Sequence, residues 1–424
     1  MEKKFLYFQP EYVKEFKCDS NTCPARCCKN WRIFVDKKTY KQYQNIKPKT
    51  AAKEITQHIL FDKKTGQYLI NNRESDETKC PMLADDNRCI IQRDYGEEFL
   101  SEVCSTYPRK TYGFGDFFER SLTLTCPLVA SMVLMRDTPL SFEWTEVNAK
   151  THSNGGKNTV IKVNLSNNFS KIVVNSQITA VSILQERRLT IDQRLVVLGF
   201  FLDKLDEMLT EQKFDKLDNL FDYYKSKKFF SEQVSHILES FDFNLKAYIK
   251  TILEIFEKIY GKESPFCNFA DSEKNFMNGV IETLGLYPDE NHKVSLDKVV
   301  ANYDNINDLR KKFVNHFSTV FENYLVNEFF FHLQPFENNH STIQNYGVFV
   351  FNYKITELFA FSAALGKFRR GGNTEDNLVS KTQLVSYIMF AAELLDHRTI
   401  HLNIAEDIFK NKNTFQIMET FLQP

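Results

Sequence analysis

The chain has 424 residues, 42% hydrophobic and 26% charged, with 54 Lys and Arg against 55 Asp and Glu. That length supports more than one domain and a sizeable core, and the composition is globular. A net charge of −1 excludes the globally basic surface that binds nucleic acid or an anionic membrane.

The opening stretch, "MEKKFLYFQPEYVKEF", has no long apolar core and no small-residue cleavage site, so it does not read as a signal peptide. Apolar runs such as "LVVLGFFL" at 195–202 are too short for a bilayer. The expected location is cytoplasmic, with neither a membrane nor nucleic acid as partner. In that compartment clustered thiols point to metal ligation rather than disulfides. Eight of the nine cysteines lie in the first third: Cys18, Cys23, Cys27, Cys28, Cys80, Cys89, Cys104 and Cys126.

Between them the sequence is irregular. A helix is predicted over 36–60 with Asp36 as N-cap, a short strand at "GQYLIN", and a hairpin in "YGFGDFFERSLTLTC" with glycine in its turn. "NAKTHSNGGKNTV" at 148–160 reads as a linker. It divides a cysteine-cluster metal-binding domain, 1–147, from an α-helical domain, 160–424. In the second, Thr190 and Gln193 form a capping box before Leu195, Leu198, Phe201, Leu202 and Leu205, which recur at helical spacing. Helices are also predicted over 240–261, 306–336, 348–368 and 378–397. "KFRRGG" at 367–372 is a basic cluster, read as solvated loop. The predicted fold is mainly α: a loop-rich, metal-stapled N-terminal cysteine-cluster domain followed by an α-helical domain.

The cysteine spacings are C-x4-C-x3-C-C, then C-x8-C, C-x14-C and C-x21-C. Tetrahedral thiolate sites suit zinc or iron–sulfur clusters, and eight thiols supply one four-ligand site with spares or two full sites. Cys267, alone in the helical part, reads as a small packed hydrophobe. Cys23 and Cys27 give the first gap of a C-x3-C-x2-C radical motif, but Cys28 follows and position 30 is Asn. The Gly-rich turn after a first strand that serves the common methyltransferase fold is absent; "HSNGGKN" and "RRGGN" follow no apolar strand. Tyr107 and Arg109 follow Cys104 closely and are candidates to lie beside the metal, with Arg109 able to pair a cofactor carboxylate; the plainer reading of Arg109 is a surface ion pair. Asn327 and Glu328 interrupt an apolar helix, either facing a cleft or, more plainly, on an exposed face. His397 and His401 are four apart but lack an H-E-x-x-H pattern, and a helix-end surface role is the plainer reading.

"FKCDSNTCPARCCKNWRIFVDKKTYKQY", "KCPML", "NRCIIQRDYG" and "VCSTYPRKTY" resemble the flagellin lysine-N-methylase family. The matching features are the Cys27–Cys28 pair, Trp31, Asp36, "CPML" at 80–83, "RCIIQ" at 88–92 and "C-x2-YPR" at 104–109. This segment is also akin to the zinc- or iron-chelating cysteine-cluster domains. "LQERRLTIDQRLVVLG" and "ENYLVNEFFFHLQPF" extend the likeness through the helical part. The resemblance implies transfer of methyl groups from S-adenosylmethionine to flagellin lysines and an associated [4Fe-4S] cluster, with zinc as the alternative metal. It names no catalytic residue. The competing reading is a non-enzymatic zinc- or iron-binding helical scaffold.

Overall fold

The computed structural model describes residues 4–18, 23, 33–70, 80–86, 88–148, 160–162, 167–260, 271–286, 295–337, 341–369, 379–396, 409 and 412–423. Cys27, Cys28, Trp31, Cys267, His397, His401, the second half of "KFRRGG" and most of the linker lie outside them. The chain forms two compact units, one of residues 1–132 and 140–167, the other of 133–139 and 168–424.

The first unit is richer in strands than its sequence suggested. One sheet has five strands in the order β7-β1-β6-β5-β8: β1 Lys4–Pro10, β5 Arg109–Gly113, β6 Phe118–Leu122, β7 Phe142–Asn148 and β8 Val160–Lys162. β1 runs antiparallel to β7, with Phe8 opposite Trp144, and parallel to β6, with Tyr7 opposite Phe118. β5 and β6 are the predicted hairpin, joined through Gly115 at φ +94°, a backbone state that suits glycine. The guanidinium of the buried Arg120 donates to the Tyr7 hydroxyl at 2.9 Å and lies over that ring. This unit therefore holds a five-stranded sheet where the sequence suggested mostly loops.

A smaller sheet, β2-β4-β3, joins β2 Phe34–Val35, β4 Gln67–Ile70 and β3 Ile59–Asp62, all antiparallel. The strand expected in "GQYLIN" is β4. The single helix expected over 36–60 is instead α2 Lys37–Gln44, α3 Lys49–Thr56 and then β3. Pro48 has no N–H to continue α2, and the residue before it is pushed out of the helical region. The helices α4 Ile90–Tyr95 and α5 Glu102–Thr106 complete this layer, whose core holds Ile33, Val35, Tyr43, Ile55, Met82 and Ile91. α1 Tyr12–Glu15 follows β1, and α6 Pro127–Leu134 carries the chain across the division between units.

The second unit is helical throughout its described residues. In chain order its helices are α7 Asn167–Leu184, α8 Ile191–Thr210, α9 Leu217–Lys225, α10 Lys227–Glu232, α11 Val234–Glu239 and α12 Leu245–Tyr260. There follow α13 Asp271–Leu284, α14 Leu296–His316, α15 Ser318–Phe331, α16 Thr342–Arg369, α17 Lys381–Asp396 and α18 Thr414–Phe421. α8 opens with the predicted capping box, and its five periodic apolar residues are all buried. α16 is central, lying against α8, α13, α17 and α18. Its stretch Thr342–Gly366 is long and apolar enough to cross a membrane, and 89% of that apolar window is buried inside the protein. The sequence reading counted only unbroken apolar runs, so Asn352, Lys354 and Glu357 hid it. The stretch predicted as one helix over 306–336 is two, α14 and α15, parted at Phe317.

Candidate functional site

The cysteine-bearing layer begins at Asp36. Its carboxylate caps α2, accepting from the Thr39 amide at 2.9 Å and the Thr39 hydroxyl at 2.6 Å. The Glu102 amide reaches the same group at 3.4 Å and so ties α5 to α2. Burial pushes the Asp36 carboxyl up, but these hydrogen bonds outweigh it and hold it below the usual carboxylate range. It is therefore an anion at neutral pH.

Cys80 is buried in the core of the smaller layer, with Cys89 and Cys104 packed half-buried against it. The loop between Cys80 and Cys89 is folded tightly: Ala84 N donates to Arg88 O at 3.0 Å and Ile90 N to Met82 O at 2.9 Å. That ladder brings Cys89 to the start of α4, while Cys104 rides on α5, its amide donating to Ser101 Oγ at 3.4 Å. All three thiols lie around Tyr43. Burial raises that hydroxyl's pKa far above its ordinary value, and the acidic groups of Cys104, Cys89, Asp36 and Cys80, when ionised, raise it further.

Cys18 and Cys126 fall elsewhere, around Arg109. The guanidinium of Arg109 lies over the Phe16 ring at 5.1 Å. Burial lowers its pKa, opposed by Glu97, Cys18 and Cys126. The Tyr107 hydroxyl shares a hydrogen bond of 3.1 Å with Thr125 Oγ1. Cys18 is exposed, Cys23 half-buried and Cys126 buried. Cys80, Cys89 and Cys104 thus share one small core, while Cys18 and Cys126 act on Arg109. Among the described residues no three Cys, His, Asp or Glu side chains converge as a metal site. The donor set is chemically right for zinc or an iron–sulfur cluster; a complete ligand set is not formed by the described thiols alone.

Beside the first group lies a cleft of about 520 Å³, bordered by β2, the β3–β4 hairpin and α5. Phe34, Phe61 and Tyr68 line it together with Asp36, Lys37 and Glu102.

The second unit holds a set of buried charges that the sequence reading missed. Lys354 on α16 donates to both carboxylate oxygens of Asp192 at 2.7 Å and to Glu357 at 3.0 Å. Glu357 also takes a short ion pair from Arg310 on α14. Arg310 donates in turn to Asn307 at 3.1 Å and to the Gln423 side chain at 3.0 Å, and the Gln423 amide donates to Asp192 at 2.9 Å. A second centre has Glu322 of α15 accepting from Arg187 and Arg194, each at 2.8 Å. Asn327 and Glu328 are buried, not on an exposed face, and Glu328 lies 3.4 Å from His332. The available signal was charge recurring three apart in an apolar helix, as in "KITE" at 354–357.

The family model described as the FliB lysine N-methylase C-terminal domain matches residues 177–422. The chain is 34% identical over 139 residues to a lysine-N-methylase of Salmonella typhimurium, covering 31% of this chain and 33% of that protein. It is 36% identical over 140 residues to a lysine-N-methylase of Salmonella choleraesuis, with the same shares covered. To the flagellar biosynthetic protein FliU of Salmonella muenchen it is 33% identical over 139 residues, 31% of this chain and 79% of that one. The match spans about a third of the length of the two curated lysine-N-methylases. No solved structure matches.

Proposed function

This chain belongs to the FliB lysine N-methylase family, and from that premise we propose that it is a protein-lysine N-methyltransferase that carries methyl groups from S-adenosylmethionine to lysine side chains of flagellin in the cytoplasm. The observation that carries the reading is the family match over residues 177–422, which covers nearly all of the helical unit. The flagellar name of one relative supports the choice of substrate.

The reaction is a polar displacement. A lysine amine that has lost its proton attacks the sulfonium methyl carbon; the carbon–sulfur bond breaks, and its electron pair stays on sulfur as S-adenosylhomocysteine. The enzyme's task is to orient the amine in line with that bond and keep it desolvated. Arg109, half-buried, is proposed to pair with the carboxylate of the cofactor's methionyl group, and Tyr107 to border it.

A [4Fe-4S] cluster, or zinc in its place, is proposed on thiolates drawn from Cys18, Cys23, Cys27, Cys28, Cys80, Cys89, Cys104 and Cys126. Such a centre, when bound, supplies either a docking point for the cofactor or a clamp on the loops. Cys80, Cys89 and Cys104 are its first candidates because Cys80 lies in the core of the smaller layer and the other two pack against that core.

The test is mass spectrometry of flagellin after incubation with the anaerobically purified protein and S-adenosylmethionine. Added mass in 14-Da steps on lysine is expected. Unchanged flagellin, with stoichiometric zinc in the protein, would return the chain to the scaffold reading.

A further inference from the structure

The cleft beside Asp36 has the features of a receptor for an organic cation. Two of its walls are aromatic. Tyr68 is stacked on Tyr40 with ring centroids 3.9 Å apart, which fixes its plane. Phe61, its partner across the β3–β4 ladder, has its ring 5.2 Å from that of Tyr68. Phe61 is 53% exposed and its neighbour Leu60 is 52% exposed. Successive strand residues point to opposite faces, so of the two it is Phe61 that lines the cleft, with its ring open to a ligand. The third aromatic, Phe34, is half-buried and opens the opposite strand.

The floor is anionic. Asp36 and Glu102 both line the cleft, and Lys37 is the one cation among its described lining residues. An ionised carboxylate offers about four acceptor positions. Asp36 accepts from the Thr39 amide and hydroxyl and from the Glu102 amide, and its carboxylate adds negative charge to the cleft. Aromatic faces attract ammonium groups, and they also bury the methylene stem that carries one. A long stem ending in a cation is therefore complementary to this cleft, whereas an anion or a plain hydrocarbon is not.

We propose that this cleft receives the side chain of the substrate lysine, its stem against Phe61, Tyr68 and Phe34 and its ammonium toward Asp36 and Glu102. The inference rests on the methyltransferase reading for the identity of its occupant. It is a recognition role that precedes reaction: the carboxylates stabilise the ammonium, so the side chain gives up its proton and leaves them before it attacks a methyl group. Its place next to Cys104, two residues beyond Glu102 on α5, puts the bound side chain beside the cysteine group.

The experiment uses the full chain and two readouts. The first is ligand-observed NMR with Nα-acetyl-lysine methylamide, compared with its Nε-acetylated counterpart, without S-adenosylmethionine. The charged probe is expected to bind about fivefold or more tightly than the acetylated one. Phe61→Ala and Glu102→Gln are each expected to weaken it several-fold. Phe61 is exposed, so its truncation does not endanger the core, and Asp36→Asn is a third variant that keeps a capping oxygen for α2. Equal binding of the two probes, or unchanged binding in all three variants, overturns the proposal. The second readout is the kinetics of flagellin methylation, where Phe61→Ala is expected to raise KM with little change in kcat. Methylation that proceeds with an unchanged KM in Phe61→Ala overturns the cleft while leaving the methyltransferase intact. Selective binding of the charged probe by a protein that methylates nothing supports the cleft and sinks the reaction.

Discussion

Lys354 sits between Asp192 and Glu357 with almost no access to water, and Arg310 closes the other side of Glu357. Taking such ions out of water costs several kcal/mol each, which the partners recover only while all are present. Glu357→Gln leaves Arg310 and Lys354 under-compensated, and a loss of about 3–5 kcal/mol is expected; urea unfolding checks it. The same group makes stability depend on acid. Burial lifts the Glu357 carboxyl, and Arg310 and Lys354 more than reverse that, holding it well below its ordinary value. As pH falls, the unfolded chain takes up this proton first. The stability is therefore complete above the unfolded value of about 4.3 and is lost as pH drops through the folded one. The urea midpoint of the native protein is expected to fall steeply below about pH 4, and that of Glu357→Gln less steeply. The sequence showed only the spacing of Lys354 and Glu357 in an apolar helix, and charges three apart look the same whether they face water or one another.

At the scale of the element, legibility followed the caps. Thr190 with Gln193, and Asp36 with Thr39, announced α8 and α2 by chemistry that acts locally. α7 went unread because Ile, Val and Thr crowd its sequence and favour strands, and burial among helices overrides that preference. The parallel pairing of β1 with β6 joins residues more than a hundred apart and leaves no local mark. Thr190→Ala is expected to cost about 1 kcal/mol, read from the thermal midpoint. Helix packing makes a sharper test. A methyl group on Gly199 of α8 would lie 2.7 Å from the Tyr346 hydroxyl and 2.8 Å from Met418 Sδ. Tyr346 is fully buried and donates to Leu195 O at 2.8 Å, so it cannot easily withdraw. Gly199→Ala is expected to destabilise by about 1–3 kcal/mol in spite of alanine's better helix propensity; a rise in the unfolding midpoint would refute this.

For the molecule as a whole, the change from cysteine-rich to helical text suggested two regions in series, whereas the compact units interleave, with 133–139 joining 168–424. What the sequence could not convey is grouping. Cys104 is closer in sequence to Cys126 than to Cys80, yet it packs with Cys89 against the small core that holds Cys80. Spacing along a chain says little once strands and short helices redirect it. If the Tyr43 group holds the metal, Cys80→Ser lowers the iron or zinc bound per chain, while Cys267→Ser leaves it unchanged. Elemental analysis of protein prepared without oxygen measures both, and equal metal content in the two variants would reject Cys80 as a ligand.

Gln423 reaches back across 231 residues to Asp192. On the ribosome, Asp192 and then Lys354 emerge long before the residue that completes their surroundings. At about 5–20 residues per second, α8 waits roughly 10–50 s for it. The helical half cannot assume its final arrangement while it is being made, and its buried ions must stay hydrated until translation has passed that glutamine.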